Sequence, residues 1–221
     1  MKIFLDFDDT LFDTTRTPGK FWEDLVAIMK NGGWGDDEIE EIAESFSGSA
    51  FDKGKLYHYR SHLELLEEKY PRGKLDETLL HVEAFMKNLG KYLFPDVLPF
   101  LQKIPKEDIL IITYGDRDFQ RAKIEGSGIQ HFVSEVLVTE GEKIEMIEEW
   151  MTEKSWLSHP AWFIDDKPRY FSQPSKKCML QTVLMKRGEH VESNADTNFV
   201  VKDCYELLAL IQQEMSDYFF E

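Results

Sequence analysis

The sequence predicts an α/β protein in which a parallel sheet is covered by helices on both faces and interrupted by an all-α insertion. Two observations lead to this prediction. From residue 96 onward, short apolar segments alternate with amphipathic helical patterns, which is typical of a parallel sheet with right-handed crossovers. Between residues 15 and 91, four helical patterns follow one another without a strand pattern between them.

Polar groups are concentrated where the first strand pattern ends. An apolar run at residues 3–5 predicts a buried strand, and the segment Asp6-Phe7-Asp8-Asp9-Thr10 follows it at once. Alternate residues of a strand share a face, so Asp6 and Asp8 are expected to point the same way. Two carboxylates this close need a bound cation or a basic side chain, unless the segment is an ordinary acidic turn.

The remaining elements follow from periodicity. Four helices are predicted in the insertion, at 21–29, 36–46, 56–70 and 75–89. Later strands are predicted at 108–113, 132–138, 161–164, 179–185 and 198–201, with helices at 96–104, 117–125, 142–151 and 204–215. We therefore expect residues 1–14 and 92–221 to form an α/β core domain, and residues 15–91 to form a helical domain inserted into it.

The charge balance limits the partners of this chain. Its 221 residues include 42 acidic and 26 basic side chains, which gives a formal net charge of −16. A field of this sign repels phosphate backbones and anionic membranes, so we expect neither nucleic acid nor a membrane as a partner. An anionic small molecule would need a local positive centre, either a divalent ion or a lysine. The oligomeric state is not predicted.

Cysteine usage and the N-terminus favour a cytoplasmic protein. Only Cys178 and Cys204 are present, and they form no CxxC pattern, so neither a disulfide framework nor a thiolate zinc site is expected. The first residues lack the pattern of a signal peptide, and no run of about 18 apolar residues occurs.

Three further polar signals follow predicted strands. Thr113 ends the strand at 108–113 and is followed by Tyr114 and Gly115, where backbone N–H groups can point at an anion. Lys143 opens a helix, although a cation there opposes the helix dipole. Two adjacent acids, at positions 165 and 166, follow the strand at 161–164. Because the carboxyl ends of parallel strands share one edge of a sheet, we expect these groups to converge.

Together these four signals resemble, in order, the motifs of the haloacid dehalogenase-like hydrolase superfamily. The segment Asp6-Phe7-Asp8-Asp9-Thr10-Leu11 is similar to its first motif, DxDxT. Thr113 matches the second motif, Lys143 the third at a spacing of 30 residues, and Asp165-Asp166 the acidic fourth. Tyr114 replaces the more usual Asn, and Ile144 replaces a frequent Pro.

The resemblance implies a fold and a chemistry. It implies a Rossmann-like core, a type 1 helical cap at 15–91, and a phosphatase acting on small-molecule phosphate monoesters. Asp6 would be the nucleophile and Asp8 the acid and base, with its pKa raised by neighbouring carboxylates. Residues Thr113, Tyr114, Gly115 and Lys143 would bind the phosphoryl group. A Mg²⁺ ion would be held by Asp6, the Asp8 carbonyl and Asp166, with Asp165 as a supporting neighbour.

Other functions remain open. A phosphomutase keeps all four motifs, and a phospho-acceptor or binding module uses similar residues. A dehalogenase of the same superfamily needs neither Asp8 nor a metal, so a phosphatase is favoured over it.

Two sets of residues in the insertion are interpreted as solvated. His58 and His62 are four residues apart on a predicted helix, but we expect two surface histidines and no metal site. Five further side chains could face a substrate, although an exposed helix face explains them as well. They are Lys53, Lys55, Tyr57, Tyr59 and Arg60.

Overall fold

A parallel sheet forms the centre of the protein. The computed structural model describes residues 1–14, 20–47, 55–172, 178–188 and 192–219. Within these ranges the strands are β1 Lys2–Leu5, β2 Phe46–Ser47, β3 Lys55–Leu56, β4 Ile109–Tyr114, β5 Glu135–Thr139, β6 Ala161–Asp165, β7 Leu180–Met185 and β8 Phe199–Val201. Six of them form one sheet in the order β5-β4-β1-β6-β7-β8, and every neighbouring pair is parallel. The predicted α/β class is confirmed.

The described helices fall into an insertion and a set that covers the sheet. The insertion contains α1 Lys20–Asn31, α2 Asp36–Ala43, α3 Tyr59–Lys69 and α4 Leu75–Met86. The helices that alternate with the strands of the sheet are α5 Val97–Leu101, α6 Arg117–Ser127, α7 Lys143–Glu153 and α8 Cys204–Phe219. No helix in the described ranges is both long enough and apolar enough to span a bilayer.

Strand alternation distributes these helices over both faces of the sheet. Ile3 and Leu5 point to one face, where they join a hydrophobic core that includes residues of α5, α6 and α8. Phe4 points to the opposite face and packs in a core with Ile144 and Ile147 of α7. Because successive side chains of a strand point to opposite faces of the sheet, a short and fully apolar strand contributes to the hydrophobic cores on both faces.

The insertion is helical apart from one feature that periodicity does not reveal. Strands β2 and β3 pair in parallel over two residues each. A two-residue strand has no detectable period, so no pattern predicts it. The predicted helix at 56–70 accordingly begins later, at Tyr59, with His58 as its N-cap accepting a hydrogen bond from the Arg60 N–H at 3.1 Å.

A close backbone contact seats the end of the insertion on the core. The Leu89 N–H donates to the Gly126 carbonyl at 2.8 Å, and a Cβ atom at Gly126 would lie 1.8 Å from the Met86 carbonyl oxygen. Only glycine permits this approach of α4 to α6. The division into residues 1–14 with 92–221 and residues 15–91 stays a prediction, and residue 15 lies outside the described ranges.

A buried network ties distant parts of the chain to the segment after β1. The Arg187 guanidinium donates to both oxygens of Asp96, at 2.8 and 2.9 Å, and its Nε donates to the Thr10 carbonyl at 2.7 Å. Asp96 also accepts a hydrogen bond from the Cys204 N–H at the start of α8. Burial alone would raise the pKa of Asp96, but Arg187 and the Cys204 N–H hold it below its ordinary value.

We predict that Arg187→Met lowers the free energy of unfolding by about 3 kcal/mol, because it leaves the buried Asp96 carboxylate without its guanidinium partner. Urea denaturation measures the change. Lys202→Met is the matched control, since Lys202 is 79% exposed and its substitution should leave the midpoint nearly unchanged. Equal midpoints for the two variants would contradict the prediction.

Candidate active site

The carboxyl ends of three neighbouring strands bring most of the predicted site residues to one edge of the sheet. In the register of β1, Leu5 pairs with Ile111 of β4 and with Ile164 of β6. Asp6 therefore follows β1 at the level where β6 reaches Asp165, and Thr113 lies near the end of β4. Strand order reverses beside β1, and such a switch point is where open α/β sheets bind ligands.

Lys143 links two of the carboxylates. It is the first residue of α7, its side chain is 2% exposed, and its Nζ lies 2.5 Å from Asp6 Oδ1 and 2.6 Å from Asp165 Oδ2. The ammonium group also lies 4.3 Å from the centre of the Tyr170 ring. Burial alone would lower the pKa of Lys143, but Asp165 and Asp6 raise it above its ordinary value. The lysine is therefore a permanent cation.

The turn after β1 orients the Asp6 carboxylate. Asp9 has a φ of +60°, a left-handed conformation that aspartate tolerates better than most residues, and its N–H donates to the Phe12 carbonyl at 2.7 Å. The turn places the Thr10 hydroxyl 3.0 Å from Asp6 Oδ2, to which it donates a hydrogen bond. Both oxygens of Asp6 thus have defined partners.

Asp165 and Asp166 have different surroundings despite being adjacent. Asp165 is fully buried, and its oxygens accept hydrogen bonds from Lys143 Nζ and, at 2.8 Å, from the Lys167 N–H. Asp166 Oδ1 lies 3.8 Å from Lys167 Nζ. Burial and the charge of Asp6 raise the pKa of both carboxyls, that of Asp166 to about 8. Negative charge is therefore in excess at this edge.

The excess charge and the donor atoms fit a hard divalent cation. Carboxylate oxygens of Asp6, Asp165 and Asp166 lie within 4.8 Å of one another. Mg²⁺ prefers oxygen ligands, and protein sites supply one or two carboxylates for it. Lys143 contacts both Asp6 and Asp165, so these contacts do not separate the two as metal ligands. The resemblance described above assigns Asp6 and Asp166 to the ion and Asp165 to a supporting position.

Asp8 has a different environment from the one expected. Its oxygens lie 2.5 and 2.6 Å from Nζ of Lys123 in α6, and they accept hydrogen bonds from Gln120 at 3.0 Å and from the Thr14 hydroxyl at 2.8 Å. Burial alone would raise the pKa of Asp8, but Lys123, Gln120 and Thr14 lower it below its ordinary value. The expectation of a pKa raised by neighbouring carboxylates is therefore wrong, because a lysine is the nearest charge.

Several contributing residues were missing from the sequence-based site. Among them are Thr10, Thr14, Gln120 and Lys123. The sequence contains one signal for the last of them, because Lys123 lies four positions after Phe119 on the face of α6 that packs inward. A lysine on an apolar helix face is unusual unless it has a buried partner.

The predicted anion-binding residues are only partly available. Thr113 is buried at the end of β4, and Tyr114 is partly buried with its carbonyl accepting a hydrogen bond from Gln120 at 3.1 Å. Gly115, with a φ of +143°, donates its N–H to the Thr139 carbonyl at 3.0 Å. The Gly115 amide was expected to be available for an anion, and this expectation is wrong because the amide already donates to Thr139.

The interpretation of the histidines as surface residues is wrong for His62. His62 is fully buried, with Nε2 3.1 Å from the Ile39 carbonyl and Nδ1 3.3 Å from the Tyr57 hydroxyl. Burial lowers the pKa of His62 to about 4, so it is a neutral core residue. No grouping of His58 and His62 with a third potential metal ligand occurs in the described ranges.

The other insertion residues divide into exposed and enclosed side chains. Lys55 and Arg60 are exposed, as expected, and line a cavity of about 470 Å³. Tyr59 is buried, and Tyr57 packs edge-to-face against Phe119, so the solvated interpretation is wrong for these two. Lys53 lies outside the described residues.

A smaller cavity opens beside Asp8. Its volume is about 210 Å³, and its lining includes Asp8, Gln120 and Lys123. Aromatic rings from both the insertion and the core form most of the remaining wall. They belong to Phe21, Trp22, Tyr57, Tyr114 and Phe119.

Comparison with known proteins places this geometry in context. A family model described as haloacid dehalogenase-like hydrolase matches residues 3–184. Among solved structures, a haloacid dehalogenase-like hydrolase from Burkholderia xenovorans LB400 is similar with a TM-score of 0.70 and 23% identity over 96% of both chains. Comparison with curated proteins gave no match.

Two further structures share the fold. A 2-haloacid dehalogenase from Pseudomonas syringae pv. Tomato DC3000 has a TM-score of 0.60 and 16% identity, covering 96% of this chain and 99% of its own. The HAD-hydrolase YfnB from Bacillus subtilis, bound to magnesium, has a TM-score of 0.58 and 14% identity, covering 95% of this chain and 97% of its own.

We predict that Asp166→Asn stabilises the metal-free protein at pH 8. The folded-state pKa of Asp166 is raised from 3.8 to about 8, so the folded state binds more protons than the unfolded state in this window. Stability therefore falls as pH rises from about 4 to 8. Removing the carboxylate should flatten this dependence and add on the order of 2 kcal/mol at pH 8.

Urea denaturation with a chelator present, repeated across this pH range, measures the effect. Asp37→Asn, at an exposed position in α2, is the matched control and should follow the wild-type curve. A wild-type stability that rises from pH 4 to 8 without divalent ions, together with no gain in Asp166→Asn, would contradict the assignment.

Proposed function

Since this chain belongs to the haloacid dehalogenase-like hydrolases, we propose that it is a Mg²⁺-dependent phosphatase of small-molecule phosphate monoesters. The reaction proceeds through an aspartyl-phosphate on Asp6. One observation carries the proposal: oxygens of three carboxylates, Asp6, Asp165 and Asp166, lie within 4.8 Å of one another, and the ammonium group of Lys143 pairs with the first two.

This arrangement suits attack on a phosphate. An anionic nucleophile and an anionic phosphoryl group repel each other, so the reaction needs more positive charge than Lys143 supplies. Asp6 and Asp166, with the Asp8 carbonyl that the family motif implies, would hold Mg²⁺. The bound ion supplies the charge that offsets this repulsion.

In the first step, an oxygen of Asp6 forms a bond to phosphorus while the bond to the leaving oxygen breaks. Thr10 and Lys143 hold the carboxylate in a fixed orientation for this attack. Asp8 gives its proton to the leaving oxygen. Because Lys123 lowers the pKa of Asp8, the proton that Asp8 passes on would be taken up from solvent as the anionic substrate binds, since nearby negative charge favours the protonated carboxyl.

In the second step, water attacks phosphorus and breaks its bond to Asp6. Asp8, now a carboxylate beside Lys123, accepts the proton of the water. Phosphate leaves and the Asp6 carboxylate is restored. Thr113 and Lys143 bind the phosphoryl oxygens in both steps, as the second and third motifs imply.

The insertion acts as a cap over the leaving group. Its residues Phe21, Trp22 and Tyr57 contribute to the wall of the cavity beside Asp8. A cap excludes water and contacts the part of the substrate that differs between phosphate esters. The volume of about 210 Å³ suits a small alcohol, and the net charge of −16 disfavours nucleic acid.

Dehalogenation is the second candidate, because a solved relative of the same fold is a 2-haloacid dehalogenase. Such an enzyme displaces halide from carbon and needs no divalent ion. The surplus of carboxylates at the sheet edge favours the phosphatase. A phosphomutase would instead transfer phosphate between positions faster than it releases it, and a phospho-acceptor module would retain the acyl-phosphate.

We predict that the wild-type protein releases phosphate from p-nitrophenyl phosphate only when Mg²⁺ is present, and that Asp6→Asn lowers the rate at least about 1,000-fold, because the nucleophile is lost. Rapid-quench mass spectrometry should detect one phosphoryl group on the wild-type chain and none on Asp6→Asn.

Asp37→Asn is the control for loss of a carboxylate and should keep wild-type activity, because Asp37 is exposed on α2. Chloride release from 2-chloropropionate without a divalent ion, in the absence of phosphatase activity, would identify a dehalogenase instead. A screen over nucleotides, sugar phosphates and small organic phosphates then identifies the leaving group.

A further inference from the structure

Lys123 is enclosed by aromatic rings. Its side chain is 2% exposed, and Nζ lies 5.0 Å from the centre of the Phe119 ring, 5.7 Å from Phe7 and Phe21, and 5.9 Å from Phe12. The four rings come from the segment around β1, from α1 and from α6 itself. They favour a cation through their ring faces but supply no hydrogen-bond acceptor.

The acceptors come from Asp8. In the described part of the chain, the hydrogen bonds of Lys123 go to the two oxygens of that carboxylate. A buried ammonium requires a charged partner, so the aromatic enclosure makes the pair hard to separate. Lys123 therefore restricts where the Asp8 carboxylate can lie.

A second donor on the same helix strengthens this restraint. Gln120 Nε2 bridges Asp8 Oδ2 at 3.0 Å and the Tyr114 carbonyl at 3.1 Å. Asp8 is thus attached to α6 through two side chains and, through Gln120, to the end of β4. The carboxylate and both donors line the cavity in which the proposed leaving group would lie.

We propose that Lys123 is a positioning residue that holds Asp8 at the distance needed for proton transfer to the leaving oxygen. The proposal rests on the phosphatase function given above. The transferred proton is that of Asp8. Proton transfer by a side chain depends steeply on its placement, so a displaced Asp8 loses its advantage as an acid and base.

The test uses substrates that differ in their need for an acid. A nitrophenolate departs readily without a proton, whereas a phenolate of higher pKa depends on protonation. We expect Lys123→Met to lower kcat/KM for phenyl phosphate about 100-fold and that for p-nitrophenyl phosphate less than about tenfold, with KM within about threefold of the wild type. A purely structural defect would lower both rates by the same factor.

Arg121→Met is the matched control, because it removes a cation from an exposed position two residues away on α6. Both of its rates should equal those of the wild type. Gln120→Met is the second variant, which weakens the same restraint while Lys123 remains. It should show the same selective loss for phenyl phosphate, about tenfold, and it decides the question if Lys123→Met does not fold.

A crystal structure of Lys123→Met provides a readout that does not depend on activity. We expect the Asp8 carboxylate to move by about 1 Å or more from its place beside Gln120. Equal losses for both esters, or an unmoved Asp8, would overturn the proposal. If the wild type hydrolyses no phosphate ester, the phosphatase function fails, and the crystal structure still shows whether Lys123 fixes Asp8.

Discussion

The structure of the site depends on one buried cation, the ammonium group of Lys143. Without it, Asp6 and Asp165 would face each other as like charges in a medium that screens poorly. Lys143 attracts both carboxylates and stacks over the Tyr170 ring, which fixes its own position. Asp6, Asp165 and Asp166 remain crowded at this edge, and burial and Asp6 raise the pKa of Asp166 to about 8, so a divalent ion that accepts carboxylate ligands suits the edge.

The fold supplies the rigidity that this charge cluster needs. Parallel strands with both faces buried end at one edge, and the backbone there has little freedom to let the carboxylates separate. Two features fix the turn after β1. Asp9 adopts a left-handed backbone conformation, and Arg187 donates a hydrogen bond to the Thr10 carbonyl. The fold therefore keeps the carboxylates at this edge close together although they repel one another.

A second buried cation separates the two roles that the proposed reaction assigns to aspartates. Lys143 interacts with the proposed nucleophile Asp6, whereas Lys123 interacts with Asp8. Each of these two carboxylates therefore has its own ammonium partner, although they are two residues apart in the chain. The aromatic enclosure of Lys123 includes Phe21 of α1, which connects this pair to the insertion.

Much of this architecture was determined by the sequence itself, because the signals are local. Apolar runs ending in Asp6 and in Asp165-Asp166 identified two adjacent strands, and helical periods identified the helices α1 to α4 within a few residues. The tertiary structure alone decided the state of Asp8, the burial of His62 and the hydrogen bond that occupies the Gly115 amide. Lys123 is 115 positions from Asp8 in the chain. No local sequence pattern specifies which side chains of a helix will contact the end of a given strand. Burial and charge pairing arise only when those distant segments pack together.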